Sequence, residues 1–525
     1  MCAVRNTMLN YKLLIMRKLL LSIAATLAVL PAFAGGLMTN TNQSAAFLRS
    51  IARGTTLDSD AVYYNPAGTV FMKDGWHIGI SDQMALQTRS TTSTFAPFKM
   101  GANNNGSDTK EFKGSVFSAL IPSFHLTWKK NRWAVMFGIG VNGGGGTIKY
   151  PGGLASFERQ FSAIPLAITQ MGSGLSQMMG QSQPMVSANQ YSMDMLLKGN
   201  SMTLAFNVGG AFRITKWLSA AIQLRVGYTS NGYTGYIKNI MTNPTAPAFG
   251  LNGDMMRVDQ FMGMAATALK GQLDEATEGK LNDYKALTGD HILNVKQTGF
   301  SVSPIIALAF HYDKWDASIR YEFEMNTKLK TKSAAVSAND PVINAIFPNG
   351  KTVKAETPAL LAVAASRWCG PVKISLGWNH YFDKQAQNSF SESNVVRGNT
   401  NEYLAGVEWQ INKRWLVSAG AQRTQFNLKE NNYSDMNFSI SAWSVGLGFA
   451  VNIIENIRLN AGFMYTIYDK GVTSIGTADP YALQYATAMG MPDADAVEFA
   501  TPKDVYKRTS LSWGIGLDLY FGKRK

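Results

Sequence analysis

Cysteine is almost missing: the 525 residues contain only Cys2 and Cys369. A disulfide scaffold and a cysteine-based metal site are both excluded. Charge is scarce as well, at 16 % of residues, and the lysines and arginines behind the formal net charge of +14 are scattered. A nucleic-acid footprint would gather them into a stripe, so nucleic acid is not an expected partner. The five histidines, His77, His125, His291, His311 and His380, show neither metal-ligand spacing nor a nucleophile elbow nearby. No catalytic residue, metal or cofactor is therefore expected. Long hydrophobic runs are also lacking. Past residue 34 no stretch reaches the roughly twenty apolar residues that a membrane-spanning helix needs. The apolar run at 19–30 is shorter, follows Arg17 and Lys18, and precedes Ala32-Phe33-Ala34. That is the order of a secretory leader, 1–34, with the residues before Met16 reading as an over-early start. Cleavage after Ala34 would remove Cys2 and four basic residues (Arg5, Lys12, Arg17, Lys18), lowering +14 to about +10.

What the chain does have is alternation. Along 442–452, Trp443, Val445, Leu447, Phe449 and Val451 oppose Ser444, Gly446, Gly448, Ala450 and Asn452. The stretches 316–326, 457–467 and 511–521 repeat the pattern. Successive strand side chains point to opposite faces, so each is an amphipathic strand. A soluble sandwich would turn the apolar face inward, whereas an outer-membrane barrel turns it to lipid. Three features select the barrel: strands of about ten residues or more, polar faces rich in glycine with both signs of charge, and aromatics at the strand ends. Short charged turns occur at 129–132, 213–215, 313–314, 369–371, 412–414 and 455–457, flanked by Trp133, Trp217, Trp315, Trp368 and Trp415. Such an aromatic girdle marks a membrane interface. Longer connections near 86–115, 143–200, 238–296, 331–356, 383–400, 429–437 and 470–508 alternate with these turns. The expected architecture is all-β: a fourteen-stranded antiparallel transmembrane barrel over 76–525, with helical outer loops. Its strands lie near 76–85, 116–128, 133–142, 201–212, 218–237, 297–312, 315–330, 357–367, 372–382, 401–411, 415–428, 438–453, 457–468 and 509–521. An even number places both termini in the periplasm.

A barrel of this size encloses more space than its own side chains fill. Residues 35–75 precede strand one and contain a helical stretch at 42–54, then the turn Asn65-Pro66-Ala67-Gly68. Asn65 suits a cap and Pro66 a first helical position, so the turn satisfies its own backbone. The segment is expected to be a plug inside the barrel. With this hatch ending in Asn-Pro-Ala, fourteen strands and a terminal strand closing on Tyr520 and Phe521, the mature chain resembles the FadL family of outer-membrane transporters. The resemblance implies passive uptake of long-chain fatty acids, or of aromatic hydrocarbons, with lateral exit to the bilayer. It also implies a monomer in the outer membrane, in contact with outer-membrane lipid, lipopolysaccharide and the barrel-assembly machinery. Two departures are the tail 522–525 and the length of the outer loops.

Methionines crowd two outer loops, Met171, Met178 and Met179 in one, Met255 and Met262 in the other. Phe161 in the first, and Val258 and Leu269 in the second, sit at helical spacing with further apolar residues. Flexible thioethers suit varied apolar ligands, so these residues are candidates for capture; simple helix packing is the alternative. Alternation places Arg225, Arg320, Lys373 and Arg458 on the lumen face with Glu322, Glu324 and Glu408. These form either a charge network or, at Arg320, a partner for a ligand carboxylate. A porin for hydrophilic solutes and a surface adhesin or receptor remain as other readings.

Overall fold

A computed structural model of the chain describes residues 42–178, 183–268, 284–386, 397–429, 433–435, 438–469 and 471–522. The leader lies outside them. Fourteen antiparallel strands close into one barrel. In order they are β1 (Gly75–Thr94), β2 (Thr109–Lys130), β3 (Trp133–Tyr150), β4 (Tyr191–Arg213), β5 (Leu218–Thr242), β6 (His291–Tyr312) and β7 (Trp315–Glu322). The second half is β8 (Leu360–Cys369), β9 (Val372–Tyr381), β10 (Thr400–Gln410), β11 (Trp415–Gln425), β12 (Ala442–Ile454), β13 (Ile457–Tyr468) and β14 (Lys503–Phe521). Each pairs with its neighbour in sequence, and β14 closes on β1 from Trp76↔Phe521 to Thr94↔Lys503.

The strand count agrees with the alternation; the strand ends do not. β1 to β6 run 18 to 25 residues, whereas β8 to β13 run 10 to 13. The connection expected at 143–200 shrinks to 151–190, and the one at 86–115 to 95–108. The added strand residues, such as 109–115 in β2, are mostly polar or charged and read locally as loop. Cross-strand pairing overrides that local composition. On the outer surface, Ile222, Phe300, Leu447 and Ile515 are more than half exposed, a lipid-facing apolar belt. Trp133, Trp217, Trp315 and Trp415 stand exposed at its turn-side edge, while Trp368 is half-buried.

The expected continuous strand 315–330 is interrupted. β7 ends at Glu322, and pairing with β6 resumes only at Lys330, one residue out of register. The cause lies on β6. Pro304 accepts from the Phe323 N–H at 3.0 Å but has no N–H to return. The hydroxyl of Ser303 supplies that donor to the Phe323 carbonyl instead. A one-residue slip exchanges faces, so Met325, expected outside, is buried within the ring, where Gly227 makes room for its methyl. Glu324 consequently leaves the row of lumen charges. It is half-buried and faces Glu356, and an amide of Asn326 bridges the two carboxylates.

The residues from 43 to 70 are mostly buried and lie inside the strand ring. The helical stretch expected at 42–54 narrows to α1 (Ala45–Arg49), capped by Ser44, whose hydroxyl accepts from the Phe47 N–H at 3.1 Å. A single turn α2 (Ala61–Tyr64) follows, then a 3-10 turn Pro66–Phe71. In that turn Asn65 Oδ1 accepts from the Gly68 N–H at 3.2 Å and Asn65 Nδ2 donates to the Thr56 carbonyl at 3.1 Å. Ala67 is fully buried, and its carbonyl accepts from Ser219 of β5 at 2.6 Å.

Candidate functional site: a wall gap, a charged latch and an apolar loop pocket

The ladder between β2 and β3 has an opening. The two pair at 123–130 and again at Ser115 and Val116, but residues 117–122 form no ladder pair with β3, and there the Ser118 hydroxyl crosses to donate to the Gly145 carbonyl at 2.9 Å. Pro122 removes a donor there, and the facing stretch of β3 is Gly143-Gly144-Gly145-Gly146. Gly144 and Gly145 have φ of +72° and +109°, a region closed to most L side chains, and the strand bulges twice against β4. Leu120 and Phe117 stand well exposed on the lipid side of the opening. Its inner rim meets the N-terminal segment. Gln43 Nε2 donates to the Val141 carbonyl at 3.0 Å, and the Tyr63 hydroxyl lies 3.4 Å from Asn142 Oδ1. The signals for this gap, a proline and four consecutive glycines, were present in the sequence.

Two groups of charges hold the segment to the wall. Around Tyr63, Arg225 stacks on the ring with its guanidinium 4.8 Å from the centroid, and Arg320 stacks at 5.3 Å. Arg225 pairs with Glu322, and Arg320 Nε lies 3.1 Å from the same carboxylate. Arg320 also donates to the Tyr63 carbonyl. Arg320 is thus already engaged by the wall and the segment. In the second group, Arg53 is bidentate to Asp60 at 2.7 and 2.8 Å and reaches Asp58 at 2.8 Å. Arg49 pairs with Glu408 of β10 and donates to Asn460 at 3.0 Å. Arg458, half-buried, meets Asp58 at 3.3 Å. Lys373 stands opposite Glu408 in the ladder between β9 and β10, and its ammonium lies 3.7 Å from Asp316.

Over the loop end lies an apolar pocket, partly open to solvent. It is formed where α3 (Ala155–Ser162) and α4 (Ile164–Met178) meet the ends of β4 to β6 and the helix α6 (Pro341–Ile346). Phe157, Phe161, Ile164, Ile237, Leu293 and Ile343 supply most of its apolar lining. α6 forms here because Asp340 caps it, accepting from the Val342 and Ile343 N–H groups at 2.9 and 3.1 Å, with Pro341 at the first helical position. The other side of Asp340 grips His291, whose Nδ1 is 2.9 Å away; its Nε2 faces the Leu287 carbonyl at 2.9 Å. Burial pushes the Asp340 carboxyl up, but the His291 hydrogen bond and charge hold it below the usual carboxylate range.

Of the expected capture residues, Phe161 lines this pocket and Met171, Met255, Val258 and Met262 do not. Val258 and Met262, on α5 (Val258–Ala268), are fully buried in a cluster with Ile168, Ile240 and Ala246, against which Met171 packs; the cluster shares Phe161, Ile164 and Tyr284 with the pocket lining and so backs it. Met179 and Leu269, and the side chain of Met178, lie outside the described residues. The pocket residues from strand ends were missed because nothing local distinguishes them from other strand positions. The spacing of Val342, Ile343 and Ile346 after Asp340-Pro341 was a usable signal.

No protein-family model matches the sequence, and no curated protein matches it. Solved structures do match. A Pseudomonas aeruginosa FadL homologue superposes with a TM-score of 0.56 at 10 % identity, covering 93 % of this chain and 100 % of that one. The chain has the FadL-type barrel fold. The P. putida toluene transporter TodX is similar at a TM-score of 0.49 and 11 % identity, covering 89 % of this chain and 95 % of that one. The Ralstonia pickettii toluene transporter TbuX gives 0.47 and 11 %, with 88 % and 94 % covered.

Proposed function

We propose that this protein is a passive outer-membrane channel for hydrophobic compounds, with residues 35–75 acting as its plug and both termini in the periplasm. A ligand is captured in the apolar loop pocket, passes into the upper lumen, and leaves sideways into the bilayer through the opening between β2 and β3. The observation that carries this reading is that opening, with Gln43 of the N-terminal segment on its rim. A shift of the segment would release the Val141 carbonyl and widen the path. Long-chain fatty acids and hydrocarbons are both candidate cargo, and the pocket itself favours the hydrocarbon part. Its described lining holds neither lysine nor arginine, and both ring nitrogens of its histidine, His291, are committed to Asp340 and Leu287. A carboxylate headgroup would stay at the solvent mouth.

The test closes the wall. Pro122→Val combined with deletion of Gly145 restores a donor and removes a bulged residue. Cells producing this variant should take up labelled oleate and toluene far more slowly than cells producing the parent, with heat-resistant gel mobility of the barrel retained. Unchanged uptake in a folded, sealed barrel would refute lateral exit. A large steady ion current from reconstituted parent protein would favour a hydrophilic pore instead.

A further inference from the structure

The tall half of the barrel carries an ordered row of lysines on its lipid-side face. On β6 the exposed apolar residues run from Leu308 through Ile306 and Val302 to Phe300, and the same face continues to Thr298 and then Lys296. On β4 it passes from Met202 to Asn200 and Lys198. On β14 the order is Leu511, Thr509, Lys507, and on β2 it is Phe117, Ser115, Lys113. In each strand a lysine stands four residues beyond an apolar side chain of the belt, with one polar residue of the same face between. The ten residues from Phe310 to Phe300 span about 25 Å along a barrel whose strands tilt about 40°, the height of a lipid-facing apolar band. The lysines therefore sit just past that band, at headgroup level.

Register brings them together. Lys198 lies directly opposite Lys149 of β3, and Lys296 directly opposite Lys332 of the short strand Lys328–Ser333 that continues β7. Lys113 and Lys507 flank Ser90 of β1 from its two sides. Like charges directly opposite on one face repel. Among the described residues, lysine ion pairs involve Lys99, Lys110, Lys129, Lys373 and Lys503, and none of these six. Glu111 is a carboxylate on the same face of β2. Lys149, Lys198 and Lys296 have ladder partners on both sides, so these three are not needed to protect a sheet edge, whereas Lys113, Lys332 and Lys507 are paired on one side.

We propose that this row is a docking surface for a phosphate-bearing glycolipid of the outer leaflet, with the Lys149–Lys198 and Lys296–Lys332 pairs each gripping a phosphate group. A phosphate placed between two opposed ammonium groups turns their repulsion into two charge-assisted hydrogen bonds. Lysines near an anionic lipid surface each add attraction equivalent to about fivefold in affinity. The inference rests on the membrane placement proposed above, and on neither the ligand nor the exit path.

The test uses the whole protein in detergent, titrated with a bisphosphorylated glucosamine lipid or its dephosphorylated form and read by native mass spectrometry. The parent should retain the phosphorylated lipid preferentially. Lys149→Gln, Lys198→Gln, Lys296→Gln and Lys332→Gln together should abolish that preference, while the turn-side set Lys130→Gln, Lys216→Gln, Lys314→Gln and Lys413→Gln should keep it. Equal retention of both lipids by the parent overturns the proposal without any variant being made. So does a preference that survives the first set or is lost with the second. Failure of the parent to enter lipid vesicles as a heat-modifiable barrel would instead overturn the membrane placement.

Discussion

The wall of this barrel meets the same difficulty twice and resolves it differently. Pro304 in β6 and Pro122 in β2 each remove a ladder donor from the middle of a long strand. At Pro304 the loss is repaired within the wall. The Ser303 hydroxyl takes over the Phe323 carbonyl, the register slips by one residue, and Met325 fills the inside against Gly227. At Pro122 six residues form no ladder pair with β3, the Ser118 hydroxyl reaches the Gly145 carbonyl, and the carbonyl of Val141 is satisfied by Gln43 from the N-terminal segment. On one side the replacement donor belongs to the wall; on the other, one of the donors belongs to a segment inside it, the segment that the proposed exit path requires to shift.

The largest effect is expected on the repaired side. Glu322, the last residue before the β7 interruption, is buried and shared by Arg225 and Arg320. Glu322→Leu leaves two buried guanidinium groups without their carboxylate and should destabilise the barrel by about 3–5 kcal/mol, read as a lower urea midpoint. A shift of under ~1 kcal/mol would mean that the pair behaves as a solvated one. The rim of the open side should respond locally. Gln43→Ala strands a buried carbonyl at about 1–3 kcal/mol, so hydrogen exchange should quicken over residues 43–70 while the barrel's urea midpoint holds. If the midpoint fell equally, the segment would be an inseparable part of the wall and the contrast would disappear. Asn65→Ala loses the cap on Gly68 and the bond to Thr56, about 0.5–2 kcal/mol, again confined to that segment. Pro304→Val returns the missing donor and should change stability by no more than about 1 kcal/mol, with uptake of labelled oleate unaltered; slower uptake would give the β6–β7 side a role in passage.

The smallest effect is a pH dependence at the loop pocket. Asp340 is held below its ordinary value, so its contribution is present above the unfolded carboxylate range and is lost as pH falls through the folded value. Retention of an apolar dye by the pocket should hold at neutral pH and decline in acid below about 3.9. Asp340→Asn should remove that decline; a decline that persisted in the variant would assign it to another group.

Much of this was legible in the sequence because a period of two cannot serve two architectures at once when the polar face carries glycine and mixed charge. The alternation of 442–452 and 316–322 gives both strand and face, and the short charged turns with their tryptophans give the count. Asn65 and Pro66 announce their turn because the capping geometry is local. Arg320 could be turned inward from its neighbours alone, since an outward arginine would stand in lipid. Its partners could not be named, because Tyr63 lies far from it in sequence and Arg225 two strands away. The methionines are a related case. Helical spacing of Val258 and Met262 shows that a face is apolar, but only the packed loops decide which apolar residues that face meets. Strand ends failed where 109–115 and 191–200 look like loop and are held extended by their neighbours. The sequence by itself therefore determined the membrane barrel, its fourteen strands and the inward side of each, save beyond the slip after Glu322, since these follow from local periodicity and backbone chemistry. Tertiary structure alone decided which proline opens the wall, which charges meet the N-terminal segment and where the apolar pocket lies, since each depends on contacts between residues hundreds of positions apart.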